Sequence, residues 1–467
     1  MKLLLQAEWL RFWRNRVNLV ILALTLLLLC ASAIWSGLTA AQHRTNVQAR
    51  TAQWDKALAE LRRTAPATTL SGAAGESTAA ARNAFEFGRG EAPPALRPAL
   101  GGLVLSVRQF TMLPHDIRVS VDSRHLDARR SDVLTNPLLD SIGMPDFAVV
   151  VALLLPLSII GLSYGLVQEA REQGVWRAVC AQSEAPWRVL WAGLLLRLLA
   201  VLGLALLASL LAFALDPGAS AALFGLWMLA VAAYCLIWIA LAGVFNLLRV
   251  SAAACALGLL AVWLLTSFAV PAGLYRLAQA QEPAPSRLQA VIDIRGIQHQ
   301  AEVHMEELLE NWYSLNPEHR PQSIDTHAWP VSFIPRFLEQ DGEMVPLMTG
   351  FDHARSRRME AIEPATWLSP GLALVLAGDR LAGADAAHHA RYVEEVDRFE
   401  ERWRDLLVPA VMSYRGLTGT DVDLLPEFDP EQLRHASGVA GLLACLGSAA
   451  GLLVALLFLA RVRIALP

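Results

Sequence analysis

The run Phe147-Ala-Val-Val-Val-Ala-Leu-Leu-Leu-Pro-Leu-Ser-Ile-Ile-Gly-Leu-Ser-Tyr-Gly-Leu-Val167 is followed without a break by Gln168-Glu-Ala-Arg-Glu-Gln-Gly-Val-Trp-Arg177. The first stretch carries no charge and meets the length of about 20 apolar residues that a helix needs to cross a bilayer core. The second gathers charge of both signs into a few residues. Together they read as a span that leaves the membrane into a short polar helix ending near Gly174. Pro156, inside the span, removes a backbone N–H and is the hinge candidate; a static kink is the plainer alternative.

Five further stretches have the same character: Val17–Trp35, Leu190–Leu215, Ala221–Phe245, Ala252–Leu274 and Ser437–Ala460. The whole chain of 467 residues is 55% hydrophobic and only 18% charged, a balance that excludes an ordinary soluble domain. Arg197 stands near one end of the third span, where snorkelling to the interface is expected. Lys2, Arg11, Arg14, Arg16, Arg171, Arg177, Arg188, Arg249, Arg461 and Arg463 flank the spans on one side, while the short loop Asp216–Ser220 has no Lys or Arg. The positive-inside rule therefore predicts both termini in the cytoplasm. Residues 1–16 read as an amphipathic helix in the cytoplasmic interface, with Trp9 and Trp13 among Glu8, Arg11, Arg14 and Arg16. A cleaved signal peptide is the alternative for this end, given Ala31-Ser32-Ala33, but the leading segment is long for a basic n-region.

The expected fold class is an α-helical polytopic membrane protein: six transmembrane helices with two extracytoplasmic insertions forming a mainly helical α+β periplasmic domain. The spans are 17–35, 147–167, 190–215, 221–245, 252–274 and 437–460. The cytoplasmic parts are 1–16, the loop 168–189 and the tail 461–467, and the insertions are 36–146 and 275–435. The first insertion is near neutral and the second carries 27 acidic against 15 basic residues, which favours solubility and offers a face to cationic partners. Neither has a basic run suited to nucleic acid. No cysteine falls in either insertion, so each folds on packing, with one shared core as an option. Ser36–Ala65 reads as a helical stalk, Ala67–Pro98 as a linker, and Leu103–Val107 with Ile117–Val121 as a strand pair. Ser286–Asn316, Pro370–Leu381 and Asp385–Tyr414 read as helices, with joints near Pro317–Pro321 and Pro330–Pro335.

The segment Glu169-x-Arg171-Glu172-x-Gly174, directly after a span, resembles the coupling-helix pattern of ABC-2 type permeases, with Val175 where that pattern has Thr. Glu8-x-x-Arg11-x-x-Arg14-x-Arg16 is similar to the interface helix of the same family. Asn136-Pro137-Leu138 with Gly143-x-x-Asp146 ahead of Leu155-Pro156-Leu157, then Trp367-Leu368-Ser369-Pro370 and Leu381-Ala382-Gly383-Ala384-Asp385, resemble its DUF3526-containing branch. The resemblance implies a permease subunit that binds no cofactor itself. ATP and Mg would sit on a partner ABC ATPase that docks on Glu169, Arg171, Glu172, Gly174, Trp176 and Arg177. It also implies a second permease copy or a sister permease, contact with membrane lipid, and a bacterial inner-membrane location. Independently, a P-loop needs Gly-Lys-Ser/Thr, and neither Lys2 nor Lys56 follows a glycine.

Two histidine groups invite a metal reading. His299, Glu302 and Glu306 can share one helix face, with His304 and Glu307 adjacent, whereas His388-His389 point apart. Without a His-Glu-x-x-His or paired-cysteine pattern, stray histidines on an acidic helix are the better reading, and no metal is expected. Three functions stand: export driven by a partner ATPase, ATP-driven motion passed to a periplasmic partner, and a membrane-anchored periplasmic enzyme or binding module. No nucleophile elbow supports the last.

Overall fold

The computed structural model describes residues 2–64, 74–123, 145–182, 185–321, 327–435 and 438–459. Among these, six helices are long and apolar enough to cross a membrane, as in a helical polytopic membrane protein. The tail 461–467 and the Asn136-Pro137-Leu138 and Gly143 positions lie outside the described residues.

Helix α1 (Lys2–Arg14) ends at Asn15, whose side chain accepts the Val17 N–H at 3.0 Å and so starts α2 (Arg16–Thr64). With 49 residues, α2 is about 74 Å long at 1.5 Å per residue, far more than a bilayer requires. The stretch read as a stalk is its far half. Arg44, on that half, pairs with Asp216 at 2.5 Å and donates to Leu100 O at 2.6 Å, fixing the stalk to the loop between the third and fourth spans. The remaining spans are α5 (Phe147–Ser163), α8 (Trp187–Leu215), α9 (Ala221–Leu247), α10 with α11 (Ala252–Leu264 and Val270–Gln281) and α18 (Val439–Leu459). Between α10 and α11 the backbone widens to a π-turn over Leu265–Ala269. Helix α9 lies at the centre, against α5, α8, α10 and α18, with Trp227, Tyr234 and Trp238 fully buried.

The two insertions build a single second core. The first supplies α3 (Ala74–Gly90) and the pair β1 (Ala95–Leu96) and β2 (Asp116–Ile117), whereas α4 (Val107–Met112) packs Val107 and Phe110 into the bundle core. The second supplies α13 (Met305–Leu315), α14 (Ile334–Ile362) and α16 (Ala386–Met412), with α12 (Arg287–Val303) packed outside on α14 and α17 (Gly419–Asp423) against α2. Phe85, Val119 and Val121 pack with Tyr313, Ile334, Tyr392, Phe399 and Trp403. Large side chains of this kind contribute about 1.5–3 kcal/mol each when fully buried. The polar tips find partners across the seam: Tyr392 OH donates to Ala95 O at 2.6 Å and Trp403 Nε1 to Gly88 O at 3.0 Å.

Several local expectations need correction. Leu103–Val107 is not a strand. Leu103–Leu105 form a 3₁₀ turn and Val107 opens α4, because Leu103, Val104 and Leu105 are all buried, not one face of them. The pairing strands span two residues each. The linker contains α3, whose Ala81, Ala84 and Phe85 face the second core. The Ser286–Asn316 helix breaks at His304, and the 29-residue α14 was not expected at all.

Helix α15 (Pro370–Ala382) does not remain with the second core. It turns back into the bundle, against α5, α9, α18 and the π-turn. At 13 residues it is too short to span, the length regime of re-entrant segments. Small residues allow the approach: a Cβ on Gly378 would stand 2.8 Å from Ala148 Cβ. The C-terminal end closes on Gly383 at φ +71, with Ala384 N–H reaching Asp379 O at 2.7 Å.

Pro156 sits inside α5, so Ala152 O lacks its usual amide partner four residues on. The Tyr234 hydroxyl donates to that oxygen at 2.6 Å. We predict that Tyr234→Phe lowers stability by about 1–3 kcal/mol, the cost of a buried unsatisfied acceptor. Adding Pro156→Ala, which returns an N–H, should recover most of the loss. Thermal unfolding in detergent measures both, and an additive double variant would refute the pairing.

Candidate functional site

The charged segment after the second span folds as two short helices, α6 (Gln168–Glu172) and α7 (Val175–Gln182), separated at Gly174. Gly174 has φ +75 with nothing near the place of a Cβ, so glycine is required by backbone conformation and not by crowding. Its N–H and that of Gln173 close α6 on Arg171 O and Glu169 O, both at 3.0 Å.

What holds this projection is the loop between the fourth and fifth spans. Asn246, near the end of α9, accepts the Val167 N–H at 3.1 Å and donates to Ser163 O at 2.8 Å. Gln168 Nε2 donates to Phe245 O at 3.0 Å, and Arg171 Nη1 to Leu248 O at 3.0 Å. Glu172 Oε1 accepts the Ala252 N–H at 2.9 Å, placing a carboxylate on the first turn of α10, where the helix dipole favours it. Arg171 and Glu172 thus hold the projection to the bundle. Trp176 does not serve as an exposed anchor either: it is buried at 6% exposure within the bundle core, since α7 is amphipathic and turns that face inward. Glu172, Gln173, Gly174, Val175, Arg177 and Ala178 are exposed on the projection, as are Ala181 and Gln182 at the end of α7.

Arg197 is buried under α1. Its Nε donates to Leu162 O and its Nη1 to Gly193 O at 2.9 Å, and the guanidinium lies over the Phe12 ring, 5.6 Å from its centroid. Glu8 from α1 and Glu169 from α6 lie within electrostatic reach of it. The cation therefore does not snorkel free; it gathers α1, α5, α6 and α8. Glu8 is buried and pairs with Arg11 at 3.7 Å, while Arg11, Arg14 and Arg16 are exposed beside Trp9 and Trp13. Asn246 is the residue that the motif reading missed at this site, and Arg197, expected only to snorkel, is the one whose role it did not see. A lone amide at the end of an apolar span was the available signal for Asn246.

At the other end of the bundle, the remaining motif residues sit at joints. Asp146 caps α4, accepting the Arg108 and Gln109 N–H groups at 2.8 and 3.1 Å. Asp385 caps α16 through the His388 N–H at 3.0 Å. The break at His304 takes His299 and Glu302 off the helix that bears Glu306, and His304 contacts Glu307 at 3.2 Å. His388 and His389 are both buried.

Residues 287–431 match the family model of a domain of unknown function, DUF3526; no curated protein and no solved structure matches the chain. The matched stretch runs from α12 through the re-entrant α15 to α17.

Burial, with Arg97 and Arg391 nearby, pushes His388 down to about 3, and burial also lowers His115. Such groups take up protons more readily when unfolded, so their contribution is complete above about pH 6.5 and is lost as pH falls toward 3. The buried Asp379 carboxyl, raised to about 7 by burial with Asp146 and Asp385 near it, acts with the opposite sign between its ordinary range and pH 7. The histidine effect is therefore read as a difference. Relative to His388→Gln, the wild type should lose stability on going from pH 6.5 to pH 4, and parallel pH profiles would contradict this.

Proposed function

We propose that this chain is the membrane-spanning permease subunit of an ABC-2 type ABC transporter, resident in a bacterial inner membrane with both termini cytoplasmic. It would couple ATP hydrolysis by a separate ATPase subunit to export of a substrate. The observation that carries the reading is the α6–α7 projection: it follows the second span and is bonded through Arg171 to Leu248 at the end of the fourth and through Glu172 to Ala252 at the start of the fifth. A push on it has a direct path into two spans. ATP and Mg belong to the partner ATPase in this reading, and the complex would hold a second permease copy or a sister permease. Helix α1, with exposed Trp9 and Trp13 beside Arg11 and Arg14, suits an anionic lipid interface.

A second reading is favoured by α15. The second core is tied into the bundle by a helix inserted among four spans, so motion of the spans would reach it without any solute moving. The chain would then transmit ATP-driven motion to a periplasmic partner protein.

Both readings require an ATPase on the exposed face of the projection. We expect Arg177→Glu to reduce co-purification of a candidate ATPase about tenfold, as loss of an interface hot spot does, without shifting the unfolding midpoint. Glu172→Gln should instead lower the midpoint, because it weakens the bond to α10. Equal recovery of ATPase by wild type and Arg177→Glu would refute the assigned docking face. Failure of the wild type to bind or stimulate any ATPase would refute the transporter reading.

A further inference from the structure

We propose that Ser369 selects the backbone register of the fifth span and, through that bond, makes this span and the re-entrant helix move as one. Pro271 sets the problem. In a regular α-helix its missing N–H leaves Ser267 O without an amide; in the π-register, one residue wider, the carbonyl facing it is Thr266 O. The span adopts the second arrangement, with Val270 N–H on Leu265 O. Ser369 Oγ donates to Thr266 O at 2.6 Å, supplying the hydrogen bond that Pro271 withholds. In hydrocarbon an unsatisfied carbonyl is costly, so this single hydroxyl is what tips the span between two registers.

The same hydroxyl has a second role. Ser369 is fully buried and caps α15, accepting the Leu372 N–H at 3.2 Å. One residue therefore closes a turn of the span and opens the re-entrant helix. Ahead of it the 3₁₀ turn Glu363–Leu368 leads directly from α14, whose other end enters the second core at Ile334. At the far end of the same span, Glu172 holds Ala252. A register change at the π-turn would rotate α11 against α10 by about 100°, the turn per residue. It would also release α15 and α14 from the span. The register assignment stands on its own; its use in transmission rests on the function proposed above.

The test is hydrogen exchange on the full chain in lipid nanodiscs. Ser369→Ala should speed exchange about tenfold at amides 265–270 and at the first turn of α15, whereas Ser369→Thr, which keeps a hydroxyl, should match wild type. Adding Pro271→Ala gives the span its own N–H. The double variant should therefore recover protection at 265–270 while the first turn of α15, still lacking its cap, remains fast. If Ser369→Ala leaves 265–270 as protected as wild type, or if Pro271→Ala does not restore them, the proposal fails. Should Ser369→Ala not fold, Pro271→Ala alone decides: 265–270 must stay protected when Ser369→Ala is then introduced. For transmission, nucleotide added to the ATPase-bound wild type should change exchange in α14, and Ser369→Ala should abolish that change. A response that persists in Ser369→Ala overturns the transmission role, while absence of any bound ATPase counts against the transporter reading and leaves the register result intact.

Discussion

A carbonyl in the middle of a membrane has no water to bond, and a proline four or five residues along the chain takes away the amide it would otherwise have. This constraint organises the bundle. Pro156 frees Ala152 O, and Tyr234 of the fourth span answers it; Pro271 frees a carbonyl in the fifth, and Ser369 of the re-entrant helix answers that. Each repair comes from a different element, so each joins two segments that hydrophobic packing alone would leave free to slide. A Cβ on Gly371 would lie 3.5 Å from the Tyr234 hydroxyl, which brings the two repairs to neighbouring positions along the same re-entrant helix.

The end of the bundle that carries α1 is held by charge and amide groups. Arg197 is costly there unless its nitrogens are bonded and its charge is opposed. Two carbonyls do the first, Glu8 and Glu169 the second. The consequence is that α1 and α6 are not independent appendages. A displacement of α6 would move a carboxylate away from a buried cation, and one of α1 would uncover Phe12 and Glu8. Asn246 adds a fixed point between the ends of the second and fourth spans.

The spans were legible because hydropathy over some twenty residues is a local property. What the spans hold was not. Tyr234 and Ser369 look like ordinary residues until a neighbour's missing N–H is known. Pro370–Leu381 was readable as a helix, but its return into the bundle depends on partners far away in sequence, and its Asp379-Arg380 pair disguises it as a surface element. Asp379 is satisfied by Ser106 at 2.5 Å and Arg380 by Glu363 at 2.6 Å, contacts that span 273 and 17 residues. Helix α14 escaped notice because Pro335, Gly342, Pro346 and Gly350 break its propensity; Pro335 falls in the first turn, where proline is tolerated. In the segment after the second span the sequence shows the charges but not the direction in which they point. Charge density suggested a grip for a partner, whereas Arg171 and Glu172 spend their hydrogen bonds on Leu248 and Ala252.

The same geometry bears on whether the second core is a passenger. A domain that merely rides on a membrane protein needs flexible connections, whereas two of the described connections here are helices packed on the bundle. The first insertion arrives on α2, a continuous helix pinned by Arg44 to Asp216. The second leaves on α11 and returns through α14 and α15, with α15 buried against the second, fourth, fifth and sixth spans. Both insertions then share one core through Tyr392, Trp403 and Val121. Moving the fifth span without the second core would require breaking the Ser369 bond and stripping Ala373, Leu374, Ala377 and Leu381 out of their packing. Moving both together requires neither. A relative motion of the spans is therefore carried into the second core by the cheaper route, and that follows from the packing whether or not a solute crosses with it.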